Sequence, residues 1–342
     1  VKVAVVIPCY RVSRHVLRVV AGIGPEVHGI FVVDDACPEG SGELVERDCH
    51  DPRVSVIFRA RNGGVGAATL RGFLEAERRG FDVVVKVDGD GQIDPSLIPA
   101  LIRPLLDGRA DYAKGNRFFS PRDLRAMPRV RLFGNSAISF LAKLANGYWH
   151  VMDPTNGFVA LRTVLLPLLD TDRISRRYFF ENDLLFRLGL VRAAVVDVPM
   201  TARYGDERSN LSPTHSLFTF PGRFLTRFAR RVAYRYFLRD FNVGSVSLLA
   251  GSSLLLSGCV LGAWHWVRSV HTGVPASSGT VMLAALPVLL GFQLLTFALL
   301  YDVETRPREP IAPHLAPRAP SHQEDLDELA NDGPARQQLT TS

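Results

Sequence analysis

Short apolar runs alternate with helix-like patterns over residues 1–215. The runs fall at 3–7, 30–33, 54–57 and 83–87. Each is brief and almost uniformly apolar, which is the pattern of a strand buried on both faces, as in a parallel sheet. Helical spacing lies between some of them, most clearly over 65–79. Strands alternating with helices predict an α/β domain with a mostly parallel sheet. Such sheets bind ligands beyond the carboxyl ends of their strands. Three of the runs end in polar residues: Pro8-Cys9-Tyr10, Asp34-Asp35 and Asp88-Gly89-Asp90. These three ends are predicted to share one crevice.

The pattern then changes. Residues 243–267 contain no Asp, Glu, Lys or Arg, and residues 281–301 are also uncharged. Each stretch exceeds the roughly 20 residues needed to cross a hydrocarbon core of about 30 Å. With the short polar loop 268–279 between them they predict a transmembrane hairpin. Arg223, Arg227, Arg230, Arg231, Arg235 and Arg239 precede the first span, whereas the loop carries Arg268 alone. The positive-inside rule then places the N-terminal domain and the tail in the cytoplasm, at the plasma membrane. Arg223, Arg227, Arg231, Arg235 and Arg239 recur every four residues, with Phe224, Leu225, Phe228 and Val232 among them. This predicts a basic amphipathic helix lying in the interface with its arginines on the phosphates of anionic lipids. The other reading is an ordinary surface helix packed on the domain. The expected organisation is a catalytic domain over 1–215, a juxtamembrane helix over 216–241, two spans within 242–302, and a disordered tail over 303–342 rich in Pro, Ala and charge. The first residues lack the charged, apolar and small-residue order of a signal peptide, and none is expected.

Composition narrows the classes. Of 342 residues 47% are hydrophobic, enough for a full core and against wholesale disorder. Cys9, Cys37, Cys49 and Cys259 show no metal or disulfide-framework spacing. The net charge of +6 calls for anionic partners. Because the densest basic stretch abuts an apolar span, those partners are read as membrane lipid and not nucleic acid.

The sharpest chemical signal is Val87-Asp88-Gly89-Asp90-Gly91-Gln92. Two carboxylates one residue apart at a strand end can share one hard divalent cation, whose other positions go to water or a substrate diphosphate. A carboxylate of Asp34-Asp35 can accept from a ribose hydroxyl or a base N–H. Asn62-Gly63-Gly64-Val65-Gly66-Ala67-Ala68 opens a helix with small residues that let backbone approach a ligand. Position 69 is Thr69, so the Gly-x-Gly-x-x-Gly dinucleotide pattern fails, and no Gly-Lys-Thr phosphate loop occurs.

In this order the motifs Val6-Ile7-Pro8-Cys9-Tyr10, Val33-Asp34-Asp35, Asn62 to Ala68 and Val87 to Gln92 resemble the family 2 glycosyltransferases. The resemblance covers about residues 1–215. With the two C-terminal spans, the chain is similar to polyprenyl-phosphate sugar transferases of the dolichol-phosphate mannosyltransferase type. It implies a GT-A fold, Rossmann-like, and a hexosyltransferase activity using a nucleotide-sugar donor. It further implies that Pro8, Tyr10, Asp34, Asp35, Asn62, Gly64 and Asp88 bind the nucleotide, and that Asp88, Asp90 and Gln92 hold Mg2+ or Mn2+. Arg117, in Lys114-Gly115-Asn116-Arg117, and Arg131 are implied for phosphate, with Asp153 on the acceptor side. Arg203, in a polar loop before the basic helix, is a further candidate for the acceptor phosphate. Arg11-Val12 and Ala36-Cys37 depart from the family's usual residues. No Gln-x-x-Arg-Trp occurs, which disfavours a processive synthase.

The expected reaction is a metal-dependent, inverting transfer of one sugar from a UDP- or GDP-sugar to a polyprenyl phosphate. That acceptor is already an anion at pH 7 and needs no strong base, so positioning by arginines matters more. Two alternatives stand. One is a membrane-anchored transferase acting on a protein or glycan hydroxyl, for which Asp153, Glu181 or Asp183 would have to serve as base. The other is a catalytically inactive lipid-carrier-binding scaffold of the same fold. Homo-oligomerisation is left open.

Overall fold

The first apolar run extends into strand β1 (Val3–Cys9), buried along its whole length. The computed structural model describes residues 1–119, 129–200 and 213–315. Of residues 129–133, 135 and 213–218 it describes the backbone alone. The other apolar runs form β2 (Gly29–Asp34), β3 (Val54–Phe58) and β4 (Val83–Lys86). Three more strands follow: β5 (Tyr112–Asn116), β6 (Val159–Arg162) and β7 (Val195–Pro199). They make one sheet in the order β3-β2-β1-β4-β6-β5-β7. All neighbours are parallel except β6, which runs against both β4 and β5.

This topology fixes where the chemistry sits. The chain runs outward from β1 to β3 and then returns to β4 on the other side of β1. The crevice at that reversal lies beyond Cys9 and Lys86. Because β6 is antiparallel, its incoming turn arrives at the same edge, between the ends of β4 and β5.

Helices cover both faces. On one side α1 (Val16–Ala21), α2 (Ser41–Asp48) and α4 (Ile98–Leu106) meet Val5, Ile7, Val32 and Val85. On the other, α3 (Val65–Arg78) and α6 (Phe180–Val191) meet Val6, Phe31, Val33 and Val84. Helix α5 (Arg129–Asn146) and helix α7 (Pro213–Ala233) form a satellite layer, where Phe220 and Phe224 of α7 pack edge-on against Phe179.

The two apolar stretches form α8 (Val243–Thr272) and α9 (Ser278–Glu304). Both are long and apolar enough to cross a membrane, and only 17% and 11% of their apolar windows are buried within the chain. That exposure separates them from core helices of a soluble protein. They pack on each other at glycines: a Cβ at Gly291 would lie 2.5 Å from the Leu255 nitrogen, and one at Gly258 would lie 2.8 Å from the Ala284 oxygen. Where lipid gives no hydrophobic drive between helices, such close backbone approach is a principal source of association.

The arginine stripe is not a uniform lipid-facing row. Arg223 and Arg239 are exposed, but Arg227 bonds Asp183 at 3.0 Å and Arg231 is only 2% exposed. A spacing of four drifts by about 40° per step on a helix of 3.6 residues per turn. Five arginines therefore wrap from solvent to the domain surface and back, with Arg231 at the buried extreme. The packed-helix alternative describes this middle section.

Arg231 meets the far end of the hairpin. The Asp302 carboxylate, on the last turn of α9, accepts from Arg231 Nη1 at 2.8 Å, Arg235 Nη1 at 2.8 Å, Tyr236 Oη at 2.7 Å and Trp149 Nε1 at 2.8 Å. One acid thus ties α7, the π-helical turn Tyr234–Leu238 and the loop after α5 to α9. The chain beyond α9 also departs from the expected disordered tail. Ile311 and Ala312 donate their N–H groups to Asp111 at 2.9 and 2.8 Å, and Ala312 is buried against the sheet domain. Residues 305–315 are an ordered return segment because Asp111 offers two acceptors that no water reaches; 316–342 lie outside the described residues.

Replacing Asp302 by Ala strands the buried Arg231 charge. Thermal or denaturant unfolding in detergent is expected to show a loss of about 3–5 kcal/mol. Asp302→Asn, which keeps the acceptor oxygen, is expected to lose less.

Candidate active site

The three polar strand ends converge as expected, since β2, β1 and β4 are neighbours. Their side chains take different roles. Asp34 is 3% exposed and accepts from the Cys37 and Gly42 nitrogens, both at 2.7 Å. Asp35 is 2% exposed and accepts from Arg59 Nη1, from Gly63 N at 3.0 Å and from Gly64 N at 2.7 Å. Both carboxylates, expected on the nucleotide side, lie at the end of β2 and accept from the backbone of the two loops that follow β2 and β3. Tyr10 stands exposed at the end of β1, with the Arg11 guanidinium 5.4 Å from its ring centroid. Pro8 is buried within β1, while Asn62 and Gln92 are exposed.

Asp88 follows β4. Its Oδ1 accepts from Lys86 Nζ at 2.6 Å. Lys86 is 1% exposed, and its ammonium also reaches Glu181 Oε1 at 3.2 Å and the Gly157 carbonyl at 3.4 Å. Burial alone would discharge this lysine, but the Asp88 and Glu181 charges outweigh it and hold its pKa above the ordinary value. A Cβ at Gly157 would fall 2.4 Å from both Asp88 Oδ2 and Lys86 Nζ. Gly157 therefore lets the incoming turn of β6 lie directly on the Lys86–Asp88 pair. Asp90 accepts from the Gln92 nitrogen at 3.0 Å, which closes the turn after Asp88.

A second pair sits at the end of β5. Arg117 Nε and Nη2 donate to Asp153 Oδ2 and Oδ1 at 2.6 and 2.7 Å, in a bidentate fork. Asp153 is 1% exposed and adopts φ 53°, a left-handed conformation. Burial raises its carboxyl, yet the Arg117 bonds and charge outweigh that and hold it below the usual range. Beneath it, the fully buried Lys114 donates to the Met152 oxygen at 3.1 Å and to the Asp153 carbonyl, fixing the turn. Asp197 of β7 supports the same region, accepting from Asn116 Nδ2 at 3.0 Å and Met152 N at 2.7 Å. Burial pushes the Asp197 carboxyl up to about 6.

The acids considered as bases are all engaged. Asp153 holds Arg117, Glu181 holds Lys86, and Asp183 accepts from Ser175 N at 2.8 Å and Arg227 Nε at 3.0 Å. Arg131 lies in the first turn of α5, and Arg203 lies outside the described residues. Sequence reasoning missed Lys86, Lys114 and Gly157. The signal for the lysines was present: a charge inside an otherwise apolar, doubly covered strand must find a partner.

Comparison with known proteins bears on the family and the fold. A family model, Glycosyl transferase family 2, matches residues 4–167. The chain is 35% identical over 209 residues to polyprenol monophosphomannose synthase of Mycolicibacterium smegmatis, an alignment spanning 58% of this chain and 76% of that protein. The chain belongs to glycosyltransferase family 2. A second relative in this family, undecaprenyl-phosphate mannosyltransferase of Micrococcus luteus, is 33% identical over 174 residues, covering 50% of this chain and 70% of that one. Among solved structures, glucosyl-3-phosphoglycerate synthase of Mycobacterium tuberculosis, in complex with Mn2+, UDP and glucosyl-3-phosphoglycerate, superposes with a TM-score of 0.50. The identity is 22%, with 67% of this chain and 79% of that chain covered. This likeness bears on the fold, which is the GT-A fold of the family 2 glycosyltransferases.

Two outcomes follow from this geometry. Gly157→Ala is expected to displace Asp88, to lower sugar transfer by about tenfold or more, and to cost about 1–3 kcal/mol of stability in an unfolding curve measured alongside. Asp197 gives the second. Its folded-state value lies above the ordinary 3.8, so its ionisation disfavours folding. The penalty is absent below that ordinary value and is complete once the pH has risen past about 6. Asp197→Asn is expected to raise the unfolding midpoint at pH 7.5 and to flatten its decline between acid and neutral pH.

Proposed function

We propose that the chain transfers a single sugar from a nucleotide-linked donor to the phosphate of a polyprenyl lipid at the membrane surface. The observation that carries this reading is the state of the acids around the crevice. Asp153, Glu181 and Asp183 each hold a cationic side chain at 2.6–3.2 Å, so each is committed to an ion pair. A hydroxyl acceptor would require one of them to take a proton. A phosphate acceptor is anionic already and requires placement, which the Arg117 guanidinium, held in one orientation by Asp153, is built to give. The named activities of the two mannosyltransferase relatives support the same acceptor class.

The donor side is read from Asp88 and Asp90. Among the described residues no group of three or more His, Cys, Asp or Glu could hold a metal. Two carboxylates still fit a hard cation such as Mg2+ or Mn2+ when the donor's diphosphate and water complete its shell. Asp88 suits this role: Lys86 fixes one oxygen, and Gly157 keeps the space at the other free of a side chain. A cation bound there supplies charge neutralisation for a departing nucleotide diphosphate. Lys86 meanwhile holds Asp88 in register, and Asp90 is positioned by the turn it closes with Gln92. Asp35 shapes the nucleotide side by holding the Gly63–Gly64 loop under the crevice.

The membrane reading rests on α8 and α9. Arginines before α8, together with Arg306 and Arg308 after α9, outnumber Arg268 at the opposite end of the hairpin. By the positive-inside rule the catalytic domain faces the cytoplasm. The family assignment and the intact Asp88 and Asp90 disfavour an inactive scaffold.

The experiment is transfer of labelled sugar from UDP- and GDP-sugars in membranes containing polyprenyl phosphate, with Mg2+ or Mn2+ present. Label is expected in the organic phase, and Asp90→Asn is expected to reduce it about a hundredfold. Near-normal turnover by Asp90→Asn would count against the metal role, and label confined to protein or water-soluble glycan would count against the lipid acceptor.

A further inference from the structure

The outer edge of the sheet carries a feature that sugar transfer does not use. A cavity of about 390 Å³ opens between β7 and the segment after α9. Arg109, His150, Asp197, Arg306 and Arg308 line it, together with the β7 backbone from Ala194. Three guanidinium groups and an imidazole, drawn from separate parts of the chain, therefore border one concavity. Their charge is poorly compensated. Among the described residues Arg109 and Arg308 reach only the solvent-exposed Asp107 and Glu304, at 2.9 and 3.9 Å, and water screens such pairs strongly. Arg306 has no hydrogen bond or ion pair among the described residues.

In two of the lining residues a polar atom, His150 Nδ1 and Asp197 Oδ1, is buried with no partner among the described residues. His150 Nε2 donates to the Val195 carbonyl at 2.8 Å, which fixes the ring. Burial, and next the neighbouring Arg306 and Lys143 charges, hold the imidazole below its usual pKa. An anion among these groups would reverse the charge effect and let Nδ1 donate. Asp197 is the one acid among the lining residues, and its Oδ2 is already engaged by Asn116 Nδ2 and Met152 N, so a single carboxylate faces three guanidinium groups. Position adds to the chemistry. Arg306 follows α9 by two residues, so the cavity opens where an apolar span ends.

We propose that this cavity binds a phosphate group, carried by an anionic lipid headgroup or by a soluble phosphate, through Arg109, Arg306, Arg308 and His150. Guanidinium forks match phosphate oxygens in geometry as well as charge. Asp88, Arg117 and Asp153 are not among its lining residues, and its test uses neither sugar donor nor polyprenyl acceptor. Its outcome is therefore separate from that of the transfer reading.

The test is calorimetric titration of the full chain in neutral detergent with inorganic phosphate and, separately, with short-chain phosphatidylglycerol. Saturable binding of at least one probe is expected. Arg306→Gln with Arg308→Gln should weaken it by about tenfold or more, as should Arg109→Gln on a different element. Arg117→Gln, at the strand ends, should leave it intact. Binding of lipid alone assigns the headgroup as ligand; binding of phosphate that also displaces lipid assigns the soluble anion. Absence of saturable binding by either probe would overturn the proposal. So would binding that both the Arg109 and the Arg306/Arg308 variants retain while their unfolding midpoints match the parent chain.

Discussion

A lysine in the middle of a sheet covered on both faces cannot be left uncompensated, and much of the site follows from that constraint. Lys86 is as buried as the valines beside it. It keeps its charge only because Asp88 and Glu181 close on it from different elements. Asp88 is thereby drawn to one orientation at the end of β4. Glu181 anchors the start of α6 over the same point. Gly157 admits the turn before β6, because any side chain there would strike the pair. One buried charge thus sets the positions of a strand end, a helix start and a turn.

The same device recurs outward from the sheet. Arg117 and Asp153 lock the end of β5, Arg227 and Asp183 hold α7 against α6, and Arg231 and Asp302 hold α7 against α9. Buried pairs of this kind are a modest source of net stability, since desolvation offsets much of their attraction. Their contribution here is geometric. Each pair joins elements distant in sequence, and together they form a chain of contacts from the strand ends to the membrane hairpin. These links fix the crevice relative to the apolar hairpin.

Much of the fold was legible in the sequence because its cause is local. The apolar runs of β1 to β4 are strands buried on both faces, and their composition says so directly. The two spans were equally plain, since twenty uncharged residues have few other uses. The placement of Asp88 and Asp90 was also legible, because a strand end followed by a tight turn carries both acids at the same edge of the sheet. Other features depended on partners that no local pattern names. The arginine repeat reads as one amphipathic face, yet Arg231 turns inward because Asp302 lies seventy-one residues away in the chain. Asp153 reads as a free acid until β5 brings Arg117 beside it. The segment 305–315 has the composition of a tail, and Asp111, Arg235 and the apolar face that takes Ala312 make it a packed strap.

The order of residues therefore carries the class of fold, the apolar hairpin and the pair of acids after β4, because hydrophobic period and strand-end polarity are short-range properties. Tertiary structure alone decided which of the many charged residues are paired and which remain open to a ligand. Pairing is a matter of distance and burial between elements, and neither is written in the order of residues along the chain.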